Sequence, residues 1–365
     1  MNRSLGYDVV VIGAGTAGLV AATRLAQRGA RVCVVAKGYG STHLAPGTID
    51  APIAAGPMTS TATNWFIDTV VSGSLPGYTY ELTAAQSLPT AVGSLKHSLL
   101  VPSTQAPATL AGATTKIAIV GTTWLRDFQA GLCAANLSLA GLPARAIEFD
   151  WRLDRADANA VHIAHRFDES RWREHFCTKL RPRLAGDEQL VGLPAVLGLR
   201  DPAAVHVDLE QRLERRVFEI PTLPPSVPGM RLFEILRSAL RTAGGRFVLG
   251  AEVIGAQRDS ANNIIAVRTA SAGHETVYGA SGFVLASGGT ASGAIEVDSH
   301  RAVRERVLGL PVLGLAVAVD DQQRSIAASN VLVAGASLPA GADGPIGCSE
   351  SMAITTGYRA AEVLA

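Results

Sequence analysis

The chain opens on an unbroken apolar run, Val9-Val10-Val11-Ile12. A strand reads this way when both of its faces are buried, so the run predicts a central strand of a parallel sheet. The period then changes. Leu19, Ala22, Leu25 and Ala26 recur at helical spacing, predicting an amphipathic helix from about Ala17 to Arg28, and Gly29 leads into a second apolar strand, Arg31 to Ala36. From Arg246 onward short strand-like runs follow one another: Phe247 to Leu249, Glu252 to Ile254, Ile264 to Thr269, and Glu275 to Tyr278. Turn signals at Asn262-Asn263 and Ala272-Gly273 separate them, as in a β-meander. The meander returns into an apolar strand, Phe283 to Ala286, that ends on Ser287-Gly288-Gly289. Val331-Leu332-Val333 repeats this strand-to-glycine transition at Gly335, and a small-residue helix is expected from about Ser349 to Leu364.

Between about 76 and 240 the chain carries a separate pattern. Lys116 to Gly121 predicts a strand. Trp124 to Ala140 predicts a helix with Phe128, Leu132 and Leu139 on its apolar side, and Arg166 to Lys179 a charged, aromatic surface helix. The proline-dense stretch Ile220 to Leu232 is a stiff turn into a helix, Arg231 to Thr242, that would hold backbone donors or Arg231 in fixed register. The expected fold is α/β: a Rossmann-like FAD/NAD(P)-binding fold with a β-meander. Residues 1–75 and 241–365 would form this domain, and 76–240 an inserted α/β domain facing substrate or partner.

Composition narrows the function. A chain of 365 residues is long enough for two domains. With 48% hydrophobic and 17% charged residues it reads as soluble and globular, with apolar surface to spare for a subunit interface. The net charge of +1 and the lack of a basic run argue against nucleic-acid binding. Three glycines interrupt the apolar stretch Val9 to Ala22, so it is not a signal segment, and no apolar run reaches the ~18 residues of a membrane span. The four cysteines show no C-x-x-C spacing, which argues against a local iron–sulfur or zinc site and fits reduced thiols in the cytoplasm. No metal or triad spacing joins His97, His162, His165, His175 and His206.

The candidate chemistry lies at the turn after the first strand. Gly13-Ala-Gly15-Thr16-Ala17-Gly18 is G-x-G-x-x-G. The first glycine permits the tight turn, the second lets the backbone approach a pyrophosphate, and the third lets the helix pack on the strand. The helix end beyond it directs N–H groups and a partial positive charge at that phosphate. In this context the motif points to a dinucleotide or a flavin. The acid expected about 20 residues later to hold an adenosine ribose is absent, since the second strand ends Val35-Ala36-Lys37. Lys37 either pairs a terminal phosphate, as on FMN, or is a solvated strand-end lysine. The loop through Ser41, Thr42 and His43 has the small hydroxyl residues and glycine suited to lie on phosphate and ring. Ser287 and Gly288, then Gly335, are expected on the cofactor from the other half of the chain. Gly347, Cys348 and Ser349 would sit at the amino end of the last helix, facing a flavin pyrimidine where negative charge develops on reduction. A packing role is expected for Cys348.

Four stretches carry a resemblance over nearly the whole length: Pro221-Thr-Leu-Pro-Pro-Ser-Val-Pro-Gly-Met-Arg-Leu232, Ile119-Val-Gly-Thr-Thr-Trp-Leu-Arg-Asp-Phe-Gln-Ala130, Leu285-Ala-Ser-Gly-Gly289, and Asn330 to Ala365. The chain resembles the B subunit of anaerobic glycerol-3-phosphate dehydrogenase. The resemblance implies a flavin, FMN in that family with FAD possible, beside a catalytic FAD subunit and a membrane-associated iron–sulfur subunit. Together these would oxidise sn-glycerol 3-phosphate to dihydroxyacetone phosphate and pass electrons towards quinone, the chain lying in the cytoplasm at the inner face of the membrane through its partners. In flavoproteins resembling fumarate reductases a histidine in the loop corresponding to His43 faces the flavin, sometimes bonded to it; capping the loop or hydrogen-bonding the cofactor is the expectation here. Leu315 to Ser329 is shorter than in the family by roughly two dozen residues, judged against ordinary loop lengths. Two alternatives stay open: a stand-alone FAD-dependent dehydrogenase of another small substrate, and a non-catalytic scaffold whose flavin site has decayed.

Overall fold

The computed structural model describes residues 4–50, 57–71, 75, 77–151, 153, 158–271, 273–339 and 349–364. Two units divide the chain: Met1–Thr42, Pro52–Ser72 and Phe233–Ala365 form the first, His43–Ala51 and Gly73–Leu232 the second.

The first unit is built on a seven-stranded sheet. Its strands run in the order Glu252–Arg258, Ile264–Ser271, His274–Leu285, Ser4–Ile12, Val32–Ala36 and Arg246–Leu249, with Val331–Val333 pairing beside His274–Leu285. The apolar run that opens the chain is central, with parallel neighbours on both sides, and Val10, Val11, Val34 and Leu285 are fully buried. Two strands expected separately, Glu275 to Tyr278 and Phe283 to Ala286, are one twelve-residue strand, His274–Leu285. Its first half pairs antiparallel in the meander, and its second half lies between parallel strands. Gly279 and Gly282 lie between the two expected strands, and pairing with Gly6 and Val9 of the opening strand keeps the backbone extended through them.

The opening helix, Thr16–Gln27, packs against the closing helix, Glu350–Leu364. The small-residue face of the closing helix makes this possible, because a Cβ at Gly357 would overlap the backbone carbonyl of Ala17. Glu362 ties the pair at the far end, 2.6 Å from Arg24 Nε and 2.9 Å from Arg28 Nη1.

The second unit holds a four-stranded parallel sheet in the order Ala144–Glu148, Lys116–Gly121, Glu188–Pro194 and Arg216–Ile220. Two helices differ from expectation. The helix after Lys116–Gly121 covers only Ala130–Leu139, and its buried residues are Ala130, Cys133, Ala134 and Leu137. Leu132 and Leu139, expected on the apolar side, are 46% and 86% exposed. The charged stretch from Arg166 is not one surface helix. Two helices, Ala160–Phe167 and Ser170–Leu180, meet at Asp168, where the carboxylate accepts the Leu199 and Arg200 N–H groups. Their aromatics turn inward: Phe167 and Phe176 pack edge-on to Trp151 at 6.1 and 5.1 Å between ring centres.

The proline-dense stretch delivers Arg231 into the core of this unit. The helix begins at Val227, earlier than its apolar period suggests. Ser226 Oγ accepts the Gly229 N–H at 3.1 Å, a cap the pattern of Pro228 and Gly229 conceals. Arg231 and Glu219 are both fully buried and joined at 2.6 Å. Burial pulls the guanidinium pKa down, but the charges and hydrogen bonds of Glu219 and Tyr78 together outweigh it and hold Arg231 above its ordinary value. The Gly198 carbonyl accepts from Arg231 Nε at 3.0 Å, and Glu219 accepts from Thr104 Oγ1 and Leu197 N–H.

Cys33, Cys133 and Cys177 are buried, and burial pushes their thiols up to about 11, 12 and 12. Thiolate is the reactive form, so iodoacetamide near pH 8 is expected to leave all three unmodified in the native protein and to label them in denaturant. Peptide mapping that finds any of them alkylated rapidly in native protein would contradict this core.

Candidate functional site

The turn after Ser4–Ile12 gives each of its glycines a different surrounding. Gly13 has φ +111°, and a Cβ there would overlap the Ala286 carbonyl, so only glycine closes the turn against the end of His274–Leu285. Its N–H donates to the Val35 carbonyl at 2.9 Å. A Cβ at Gly18 would overlap the Gly13 carbonyl, which is the close packing of helix on strand. Gly15 is extended, with φ −71°, and a Cβ there would meet nothing within 4 Å. Steric necessity inside the protein thus explains glycine at 13 and 18 and not at 15. At Gly15 the open face lies at the start of a helix whose first-turn N–H groups have no intrahelical partners, a geometry suited to a phosphate.

Three further segments converge there. The loop after the second strand folds back so that a Cβ at Gly40 would lie 2.9 Å from Gly15 N. Thr42 then reaches the helix start. Its Oγ1 accepts the Thr16 N–H at 2.9 Å and lies 2.9 Å from Thr16 Oγ1, both residues buried. From the carboxy-terminal half, Gly335 comes against Ala17, and its N–H donates to Thr356 Oγ1 at 3.0 Å. The Gly288 carbonyl accepts from Ser337 Oγ at 2.7 Å. Ser287, beside Gly13, has a buried hydroxyl with no hydrogen-bond partner. An orphaned hydroxyl beside the glycine turn fits a bound nucleotide that supplies the missing bond.

Gly13, Gly15, Thr16, Ala17, Gly18, Thr42, Ser287, Gly288 and Gly335 are therefore gathered at one end of the parallel sheet. The other expected residues have the following surroundings. Ser41 is exposed. His43 is half-buried in the second unit, where its carbonyl accepts the Ser226 N–H at 3.3 Å. Lys37 is exposed and pairs with Glu252 Oε1 at 3.0 Å. Gly347 and Cys348 lie outside the described residues. Ser349 caps the closing helix, accepting the Met352 N–H at 3.2 Å. Gly40 and Thr356 join the site without having been foreseen. The Gly38-Tyr39-Gly40 repeat signalled the first, and Thr356, inside a helix, gave no signal.

A parallel sheet whose glycine turn presents an open helix start, closed over by loops from both ends of the chain, defines a flavoprotein of the FAD-binding class. The FAD binding domain family model matches residues 8–93 and 62–341. The probable B subunit of the anaerobic glycerol-3-phosphate dehydrogenase of Halobacterium salinarum is 32% identical over 80% of this chain and 76% of its own. The B subunit of the anaerobic glycerol-3-phosphate dehydrogenase of Pectobacterium atrosepticum is 30% identical over 84% of this chain and 80% of its own. A solved 3-ketosteroid delta1-dehydrogenase from Sterolibacterium denitrificans covers 78% of this chain and 48% of its own at 16% identity and TM-score 0.34, too distant to add to the argument. The chain belongs to the family of anaerobic glycerol-3-phosphate dehydrogenase B subunits, and it is a flavin-dependent oxidoreductase subunit.

Proposed function

We propose that the chain is the electron-transferring flavin subunit of a complex that oxidises sn-glycerol 3-phosphate to dihydroxyacetone phosphate and passes the electrons towards quinone. A catalytic FAD subunit and a membrane-associated iron–sulfur subunit complete this complex, and they would bring the chain to the inner face of the membrane. No helix among the described residues is long and apolar enough to cross a membrane, which suits attachment through partners.

When bound, the flavin supplies the redox chemistry, taking up two electrons and releasing them onward. The protein's own contribution is positional. Gly13, Gly15 and Gly18 shape the phosphate turn, and Thr16, Ala17 and Thr42 line the helix start. Ser287, Gly288 and Gly335 close the site from the other half of the chain. These are glycines, alanine and hydroxyls, suited to hold and polarise rather than to carry protons, in keeping with an electron relay. The observation that carries the reading is the open face at Gly15, which the fold keeps clear without needing glycine there for itself.

The complex reconstituted from its three subunits is expected to reduce a quinone analogue with glycerol 3-phosphate and to lose most of that activity when this chain is omitted. Chromatography of the denatured chain should release a flavin. A colourless chain that still assembles and supports full turnover would make it a scaffold, and dye-linked turnover by the chain alone would make it a stand-alone dehydrogenase.

A further inference from the structure

The second unit contains a cavity of about 360 Å³ whose lining residues all belong to that unit. Four segments wall it: residues 44–48, residues 88–98, Gln105, and residues 221–224 at the start of the proline-dense stretch. Most of the wall is apolar, with Pro46, Leu88 and Pro224 in it. Two polar side chains there are left incomplete. Thr48 and Gln105 are 3% and 1% exposed, and neither Thr48 Oγ1 nor Gln105 Oε1 has a hydrogen-bond partner. Folded proteins rarely leave such buried groups unpaired. Gln105 Nε2 donates to the Pro46 carbonyl at 3.0 Å, which fixes the way the amide faces and leaves open its oxygen, an acceptor only. Pro46 is two residues before Thr48, so the two incomplete groups belong to one part of the wall. Charge narrows what could complete them. Among the described residues lining the cavity Lys96 alone is charged, and its Nζ lies 2.8 Å from Asp50 Oδ1. With that charge paired, nothing is left to offset a phosphate dianion, so glycerol 3-phosphate is a poor occupant.

We infer that this cavity binds a small uncharged alcohol with an apolar body. The ligand O–H donates to Gln105 Oε1, its oxygen accepts from the Thr48 hydroxyl, and the rest of the molecule lies on the proline and leucine side chains. A bare hydrocarbon would leave both groups unpaired, and a polyol would strand hydroxyls against the prolines. The site stands apart from the flavin reading and does not depend on it.

Full-length protein titrated with 2-naphthol and with naphthalene, the same rings without the hydroxyl, tests this by probe fluorescence. 2-Naphthol is expected to bind about tenfold tighter than naphthalene, the gain from completing buried hydrogen bonds. Thr48→Val keeps the shape and removes the hydroxyl. It should weaken 2-naphthol about fivefold and leave naphthalene unweakened. Its urea midpoint should stay unchanged or rise, because the hydroxyl it removes has no partner in the ligand-free protein; a merely structural Thr48 would lower it. Ala91→Phe, which fills the cavity from its wall, should abolish binding of both probes in protein whose urea midpoint shows it folded. No binding of 2-naphthol, equal affinity for the two probes, a lowered midpoint in Thr48→Val, or unaltered binding in Ala91→Phe would each overturn the assignment.

Discussion

Gly15→Glu is expected to abolish flavin retention while leaving the apo fold intact. The backbone at Gly15 is extended, with φ −71°, so a glutamate fits without strain, and its Cβ enters space empty to 4 Å. The carboxylate would then occupy the phosphate position with charge of the same sign. At 1.4 kcal/mol per tenfold, a weakening of at least about 100-fold corresponds to roughly 3 kcal/mol. Unfolding free energy of the apo protein should shift by no more than about 0.5 kcal/mol, as for an ordinary surface substitution. Gly13→Ala makes the contrast, because at φ +111° its Cβ would overlap the Ala286 carbonyl, and it should lower apo stability. Isothermal titration beside urea unfolding separates the two effects. Unchanged flavin stoichiometry in Gly15→Glu would place the phosphate elsewhere.

The second large effect is expected at Arg231, in the stability of the second unit. Arg231→Met leaves Glu219 buried and charged with its main partner gone, a loss of about 3–5 kcal/mol for a broken buried pair. Glu219→Gln should also destabilise, since the buried guanidinium would lose its counter-charge and keep only neutral acceptors, the amide oxygen and the Gly198 carbonyl. The double variant Arg231→Met, Glu219→Gln should cost less than the two singles added, because no charge remains stranded. Urea midpoints for the four proteins measure the coupling. Additive losses would mean that the two residues do not act as a pair.

The sequence made the nucleotide turn legible because its constraints are local. A β-branched run, three glycines and a helical period each have few structural solutions, and Gly13 and Gly18 take the turn-closing and packing roles expected of them while the space at Gly15 stays open. The closing helix was legible for the same reason, through its run of small residues from Ser349 to Leu364. Long-range partners were not legible. Nothing in Arg231 announces burial, since its charge is tolerated only because Glu219, twelve residues away, arrives on a neighbouring strand. Phe167 and Phe176 looked like surface aromatics among charges until Trp151 supplied the other wall. Leu132 and Leu139 misled in the opposite sense: helical spacing identifies a stripe, and only the sheet beneath decides which stripe is covered.

Pairing the first helix with the last has a consequence for biosynthesis. Arg24 and Glu362 are 338 residues apart, so at roughly 5–20 residues per second the ribosome needs about 20–70 s to deliver the partner of a segment already made. For most of that interval Val9 to Ile12 lacks the strand His274–Leu285 that flanks it in the native sheet. A nascent chain with such an apolar edge waiting for its neighbour is exposed to aggregation until the carboxy-terminal strands are made.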